Sequence, residues 1–140
     1  GLLFGEALVI AHPGLQRDFR YHIKRHGGML AKGRLLGVQF GAMLEDGLYF
    51  DLARQAVRLA LDLRRALEER GYEMLFDSPT NQQYPILPDE LVAYLEEEFA
   101  FSFWKKVDQD HTAVRICTSW ATEPGAIQAL LRAVDRWEEG

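Results

Sequence analysis

Gly47-Leu48-Tyr49-Phe50-Asp51-Leu52-Ala53-Arg54-Gln55-Ala56-Val57-Arg58-Leu59-Ala60-Leu61-Asp62-Leu63-Arg64-Arg65-Ala66-Leu67-Glu68-Glu69-Arg70 is the stretch on which the architecture turns. Leu52, Ala56, Leu59, Leu63 and Leu67 recur at steps of three and four, so they share one face of a helix. Arg54, Arg58, Asp62 and Arg65 fall largely off that face, and Gly71 stands where a helix ends on a left-handed residue. The spacing predicts a helix over 47–70, the longest element, acting as a strut between two subregions.

Beyond Gly71 the texture becomes β-like. Residues 72–76 read as a strand, Asp77-Ser78-Pro79-Thr80-Asn81 as a turn, and 82–87 as extended chain again. Pro88 opens a helix with Asp89 and Glu90 in its first turn, where the helix dipole favours carboxylates, and Leu91, Val92 and Leu95 point inward. Residues 101–106 and 113–120 read as strands about the polar turn Asp108-Gln109-Asp110-His111. Thr122 is the expected N-cap of a last helix whose Ile127, Leu130, Leu131, Val134 and Trp137 form one apolar face. This order suits a small, mostly antiparallel sheet with helices on one face, an α+β arrangement within the α/β class.

Before the strut, Glu6-Ala7-Leu8-Val9-Ile10-Ala11 is an apolar run without polar alternation, read as a strand buried on both faces and closed by His12-Pro13-Gly14. A short polar helix is expected over 15–26, stopped by Gly27-Gly28, and a second helix over 29–44 with Leu35, Leu36, Phe40 and Leu44 on one stripe. The expected division is 1–46 and 47–140. A buried strand whose partners are missing, in a chain opening on Gly1-Leu2-Leu3-Phe4 with no initiator Met, reads as cut.

The 140 residues are 48% hydrophobic and 26% charged, the make-up of an ordinary globular domain. No apolar run approaches membrane-spanning length. One cysteine, Cys117, excludes an internal disulfide and fits a reducing, cytoplasmic setting; it reads as a small buried filler. The net charge of −5 is uneven: residues 1–34 carry six Lys or Arg against Glu6 and Asp18, whereas 35–140 carry ten against nineteen acids. An acidic chain with one basic island favours a small anionic ligand over nucleic acid.

Two places could carry chemistry. In Ala113-Val114-Arg115-Ile116-Cys117-Thr118-Ser119-Trp120, strand alternation sets Arg115, Cys117 and Ser119 on the side opposite Val114, Ile116 and Thr118. A guanidinium there is a planar fork for a carboxylate, or equally a solvated or ion-paired surface group. In the basic island, Gly27 and Gly28 would let backbone amides approach an anion, with Lys32 and Arg34 adding charge; a solvated surface with a helix-breaking glycine pair explains the same residues. His22 and His26 lie one helical turn apart but have no further ligand nearby, so no metal site is expected. Asp108, Asp110 and His111 read as a turn, and Phe101, Phe103 and Trp104 as core or subunit-contact aromatics.

Four strings resemble the threonine aldolase/β-eliminating lyase family, and more narrowly its bacterial low-specificity branch. They are Gly5-Glu6-Ala7-Leu8-Val9-Ile10, His26-Gly27-Gly28-Met29-Leu30-Ala31-Lys32-Gly33-Arg34-Leu35-Leu36-Gly37, Asp77-Ser78-Pro79-Thr80-Asn81-Gln82-Gln83, and the run from His111 through Arg115 to Thr122. The resemblance implies an aspartate-aminotransferase-like fold, with pyridoxal 5′-phosphate (PLP) held by a large domain. It also implies a homodimer or homotetramer acting on a small amino acid, with neither nucleic acid nor membrane as partner. Residues 1–46 would then be the tail of the PLP domain, and 47–140 the connecting helix and small domain. The Schiff-base lysine is expected just before Gly1, so the chain contains no catalytic residue and is expected to be inactive alone. By the resemblance, Arg115 clamps the substrate carboxylate. Lys32 or Arg34, with Gly27 and Gly28, helps hold the cofactor phosphate, Leu30 standing where many relatives have an arginine. The implied reaction cleaves threonine to glycine and acetaldehyde. Another PLP-dependent β-eliminating lyase, an aminotransferase, or a non-enzymatic anion-binding module are the alternatives.

Overall fold

A computed structural model describes residues 2–140. The chain divides into two compact units, Gly1–Tyr49 and Phe50–Gly140.

In the first unit, His12 caps α1 (Pro13–Gln16), its Nδ1 accepting from the Gly14 amide at 3.1 Å. Asp18, at φ 55°, breaks the helix expected over 15–26, so that α2 (Phe19–Arg25) starts separately. As expected, the glycine pair ends α2. Gly27 takes φ 74°, its amide donating to Lys24 O and that of Gly28 to Ile23 O. The helix expected over 29–44 begins only at α3 (Arg34–Leu44), because residues 31–33 turn and Gly33 serves as its N-cap. A short 3-10 turn (Glu45–Gly47), with Asp46 and Gly47 both at positive φ, then separates α3 from α4 (Leu48–Glu69).

The strand expected over 6–11 does not form. Leu8 and Val9 are 71% and 90% exposed. The physical reason is the backbone: a strand is held by hydrogen bonds to neighbours, and none of the paired strands among the described residues reaches this segment.

The helices of the second unit follow their predicted periodicities. Helix α4 buries Ala56, Leu59, Ala60, Leu63 and Leu67. It closes on Gly71 at φ 90°, with Tyr72 N donating to Leu67 O and Gly71 N to Glu68 O. Four antiparallel strands follow: β1 (Gln82–Gln83), β2 (Ile86–Pro88), β3 (Ser102–Lys106) and β4 (His111–Cys117). Central β4 pairs with β3 on one side and with β1 and β2 in succession on the other. Helices α5 (Asp89–Glu96) and α6 (Pro124–Glu139) pack with the C-terminal half of α4 around Leu63, Leu67, Leu87, Leu91, Leu95, Val114, Ile116, Leu130 and Val134. Each leucine fully withdrawn from water there contributes roughly 2 kcal/mol.

Three local expectations are corrected. The strand over 72–76 shrinks to one bridge, Met74 to Pro85, flanked by Leu75 N donating to Tyr84 O and Ile86 N to Glu73 O. Pro85 has no N–H with which to continue a ladder. Thr122 does not cap α6: its Oγ1 accepts from Ser119 N at 2.8 Å, and Glu123 is the N-cap, without a side-chain cap. Cys117 is exposed and not a buried filler, because it ends β4 on the face away from the helices.

Candidate functional site

β4 sends Val114 and Ile116 into the core and Arg115 to the other face of the sheet, as the alternation requires. Arg115 is half-buried there. Across the ladder it faces Ser102 of β3, whose hydroxyl accepts from Arg115 Nη2 at 3.3 Å. The guanidinium carbon lies 5.9 Å from the centroid of Trp104. Trp104 meets Tyr84 edge-on at 4.9 Å between centroids, and Tyr84 leans on Phe76 at 4.4 Å. The result is a row of three aromatic rings ending on a cation.

Arg17, Arg54, Arg64, Arg65, Arg70 and Arg136 each pair with a carboxylate. Arg20, Arg25, Arg34, Arg58 and Arg132 lie outside the ion pairs among the described residues but are exposed to water, whereas Arg115 is both unpaired with an acid and half-buried. Arg115 is in none of the ion pairs among the described residues, and its Nε is withdrawn from solvent without an acceptor. A shielded N–H left unpaired costs on the order of 1–3 kcal/mol, a penalty that an arriving anion could relieve. Chemically, this is a cation ready for a carboxylate and flanked by aromatic surface. Phe103, expected as a core or contact residue, is 67% exposed, while Phe101 packs against the core.

The sequence by itself does not attach Ser102, Trp104, Tyr84 or Phe76 to Arg115. The two-residue spacing of Ser102 and Trp104 on a strand facing Arg115 was the only available signal. Its register depends on a hairpin whose alignment the sequence leaves open.

The turn Asp108-Gln109-Asp110-His111 is structural. Asp108 Oδ1 accepts from the amides of Asp110 and His111, and these bonds, together with the His111 ring, hold its carboxyl below the usual range. Nearby, Asp89 accepts from Lys106 and from Thr112 Oγ1, which lowers its pKa and ties the start of α5 to the β3–β4 hairpin. No group of three metal-ligating side chains comes together among the described residues.

The basic island belongs to the first unit. Lys32 and Arg34 border a shallow depression with Ala31, Gly33, Leu35 and Val38 at the start of α3. Both side chains are exposed and lie outside the ion pairs among the described residues. The amides of Gly27 and Gly28 are already spent closing α2, so the anion cradle expected of them has lost those donors to the helix end. No helix among the described residues is long and apolar enough to cross a membrane.

No sequence-family model matches the chain. It is 26% identical over 138 residues to the low specificity L-threonine aldolase of Pseudomonas sp. (strain NCIMB 10558), covering 96% of this chain and 39% of that protein. With the protein of the same name from Pseudomonas aeruginosa it shares 24% identity over 137 residues, covering 96% and 38% respectively. The solved threonine aldolase of Leishmania major superposes with a TM-score of 0.82 at 32% identity, over 88% of this chain and 36% of that one. The chain thus spans under two-fifths of the length of the curated relatives it matches. The resemblance to threonine aldolases and the α/β fold class implied by the sequence are borne out.

Proposed function

We propose that this chain supplies the substrate-carboxylate clamp of a PLP-dependent lyase that cleaves β-hydroxy-α-amino acids, threonine to glycine and acetaldehyde above all. The observation that carries the reading is Arg115: a half-buried guanidinium with no acid among the described residues to neutralise it and an Nε that lacks an acceptor. The two relatives named low specificity L-threonine aldolase support the substrate class.

In this reading Arg115 grips the amino acid's carboxylate through its planar fork and fixes rotation about the neighbouring Cα. Fixing that rotation selects which Cα bond is presented for cleavage, a contribution from orientation and not from proton transfer. PLP, when bound, supplies the electron sink that accepts the charge left on Cα. Lys32 and Arg34, free of carboxylate partners among the described residues and placed where α3 begins, are the side chains suited to its phosphate. Gly27 and Gly28 would contribute shape but not their amides. None of Lys24, Lys32, Lys105 and Lys106 is assigned the covalent role; the last two lie on exposed β3, Lys106 against Asp89. The chain alone is therefore read as inactive, and the working protein as a homodimer or homotetramer.

The test is Arg115→Ala in a polypeptide of the relatives' full length. Threonine KM should rise at least about tenfold, since a hydrogen bond to a charged group is worth roughly 1.5–3 kcal/mol. Arg115→Lys should recover only part of the loss, because an ammonium cannot present the fork. A KM within twofold of the unsubstituted enzyme would remove the clamp.

A further inference from the structure

The ladder between β3 and β4 is irregular at one place. Ser102 stands opposite Arg115 and Phe103 opposite Val114, but the next pair is Lys105 with Ala113, so Trp104 is the extra residue of a β-bulge. A bulge bends its strand and re-aims the inserted side chain. Here that side chain reaches Arg115, with the guanidinium carbon 5.9 Å from the ring centroid. The indole also meets Tyr84, a buried residue whose hydroxyl donates to Gln82 Oε1 at 2.9 Å, and Tyr84 in turn meets Phe76.

We infer that Trp104 is a positioning residue for Arg115, delivered by the bulge, and that Ser102 is its partner in fixing the guanidinium. The functional consequence rests on the carboxylate-clamp reading; the positioning itself does not. Three physical effects act together. An aromatic face attracts the cation electrostatically. Its bulk keeps water from one flank of the guanidinium, so a charge arriving on the other side is less screened. Holding the long side chain in one arrangement also means that less freedom is lost when an anion docks. Ser102 adds direction through Nη2 without adding negative charge, as an aspartate there would; the guanidinium keeps its full charge for a ligand. The arrangement also gives a reason for a 44% exposed tryptophan on an edge strand, a position where large apolar groups otherwise invite association.

Two measurements decide it. The first needs no cofactor: the Arg115 Nε–H signal in a nitrogen-15 spectrum of the chain. In the unsubstituted chain it should lie displaced from the other arginine signals by the indole ring current and exchange slowly, since Nε is shielded. Trp104→Ala should return it to the crowd with fast exchange, and Trp104→Phe should retain most of the protection. An Arg115 signal that Trp104→Ala leaves in place would overturn the inference.

The second is kinetic, in the full-length enzyme. Trp104→Ala should raise threonine KM about three- to tenfold with kcat within twofold, as loss of a partly shielded cation–π contact implies. Trp104→Phe should stay near the parent value. Added to Arg115→Ala, Trp104→Ala should cost nothing more, because its effect passes through that guanidinium. Full multiplication of the two effects, or no KM change in Trp104→Ala, sinks the proposal. If Trp104→Ala does not fold, Ser102→Ala, which leaves the ring stack standing and removes the acceptor of Arg115 Nη2, carries the comparison: it should move the Arg115 Nε–H signal, and an unmoved signal overturns the inference. Should Arg115→Ala itself leave KM unaltered, the clamp reading falls while the spectroscopic result still decides the positioning.

Discussion

Arg70 at the end of α4 and Asp135 in α6 meet as two planar groups, Nε to Oδ1 at 2.6 Å and Nη2 to Oδ2 at 3.0 Å. The same guanidinium donates to the Ala66 carbonyl at 2.7 Å, so it ties down the last turn of its own helix as well. A two-point pair holds direction as well as charge, and it fastens the long helix to the C-terminal one.

That pair gives a pH prediction. Its hydrogen bonds from Arg70 hold the Asp135 carboxyl below its usual value, and Lys106 with Thr112 do the same for Asp89. Because these acids bind protons more weakly folded than unfolded, their stabilisation is complete above the ordinary carboxylate range near pH 4 and is lost as pH falls through the lower folded values. The melting temperature should therefore decline below about pH 4, and Asp135→Asn should lower it at pH 7 while flattening that decline. An unchanged acid limb in Asp135→Asn would assign the decline to other groups.

Thr118 Oγ1 donates to the Ala56 carbonyl of α4 at 2.7 Å, and the residue is 3% exposed. Thr118→Val keeps the shape and removes the donor, so it should cost about 1–2 kcal/mol in urea unfolding. Thr118→Ser, which keeps the hydroxyl, should lose less.

Leu63 is wholly buried at the meeting of α4, α5, α6 and the sheet. Leu63→Ala should destabilise by about 2–5 kcal/mol, close to the entire stability of a small domain. The expected readout is a urea midpoint shifted far down, with much of the variant unfolded at 37 °C. Little change would mean that the core collapses around the hole.

The proposed phosphate role of Lys32 and Arg34 separates from that of Arg115. Replacing both by alanine should weaken PLP affinity about tenfold or more in the full-length enzyme, followed by cofactor absorbance, while threonine KM at saturating PLP stays near the parent value. A raised KM with unaltered cofactor affinity would move these residues from the phosphate to the substrate.

Legibility in the sequence followed the range of the interactions. The face of α4, the glycine stops at 27–28 and 71, the proline-led start of α5 and the alternation about Arg115 were readable because each is set by backbone geometry within a few residues. The reading failed where a partner had to be supplied from elsewhere. An apolar run at 6–11 looked like a strand, yet no ladder reaches it; Thr122 looked like a cap, yet Ser119 N takes its hydroxyl.

Spacing alone was enough for α4 and its buried face, for α5 and α6, and for setting Arg115 off the core side of its strand, but not for the starts of α2 and α3. It took the folded chain to show that β3 carries a bulge at Trp104, that Trp104 lies beside Arg115 with Ser102 across the ladder, and that no acid among the described residues claims this cation. Periodicity is written in bonded neighbours, whereas strand register and the company a charge keeps depend on residues that meet only after the chain has folded.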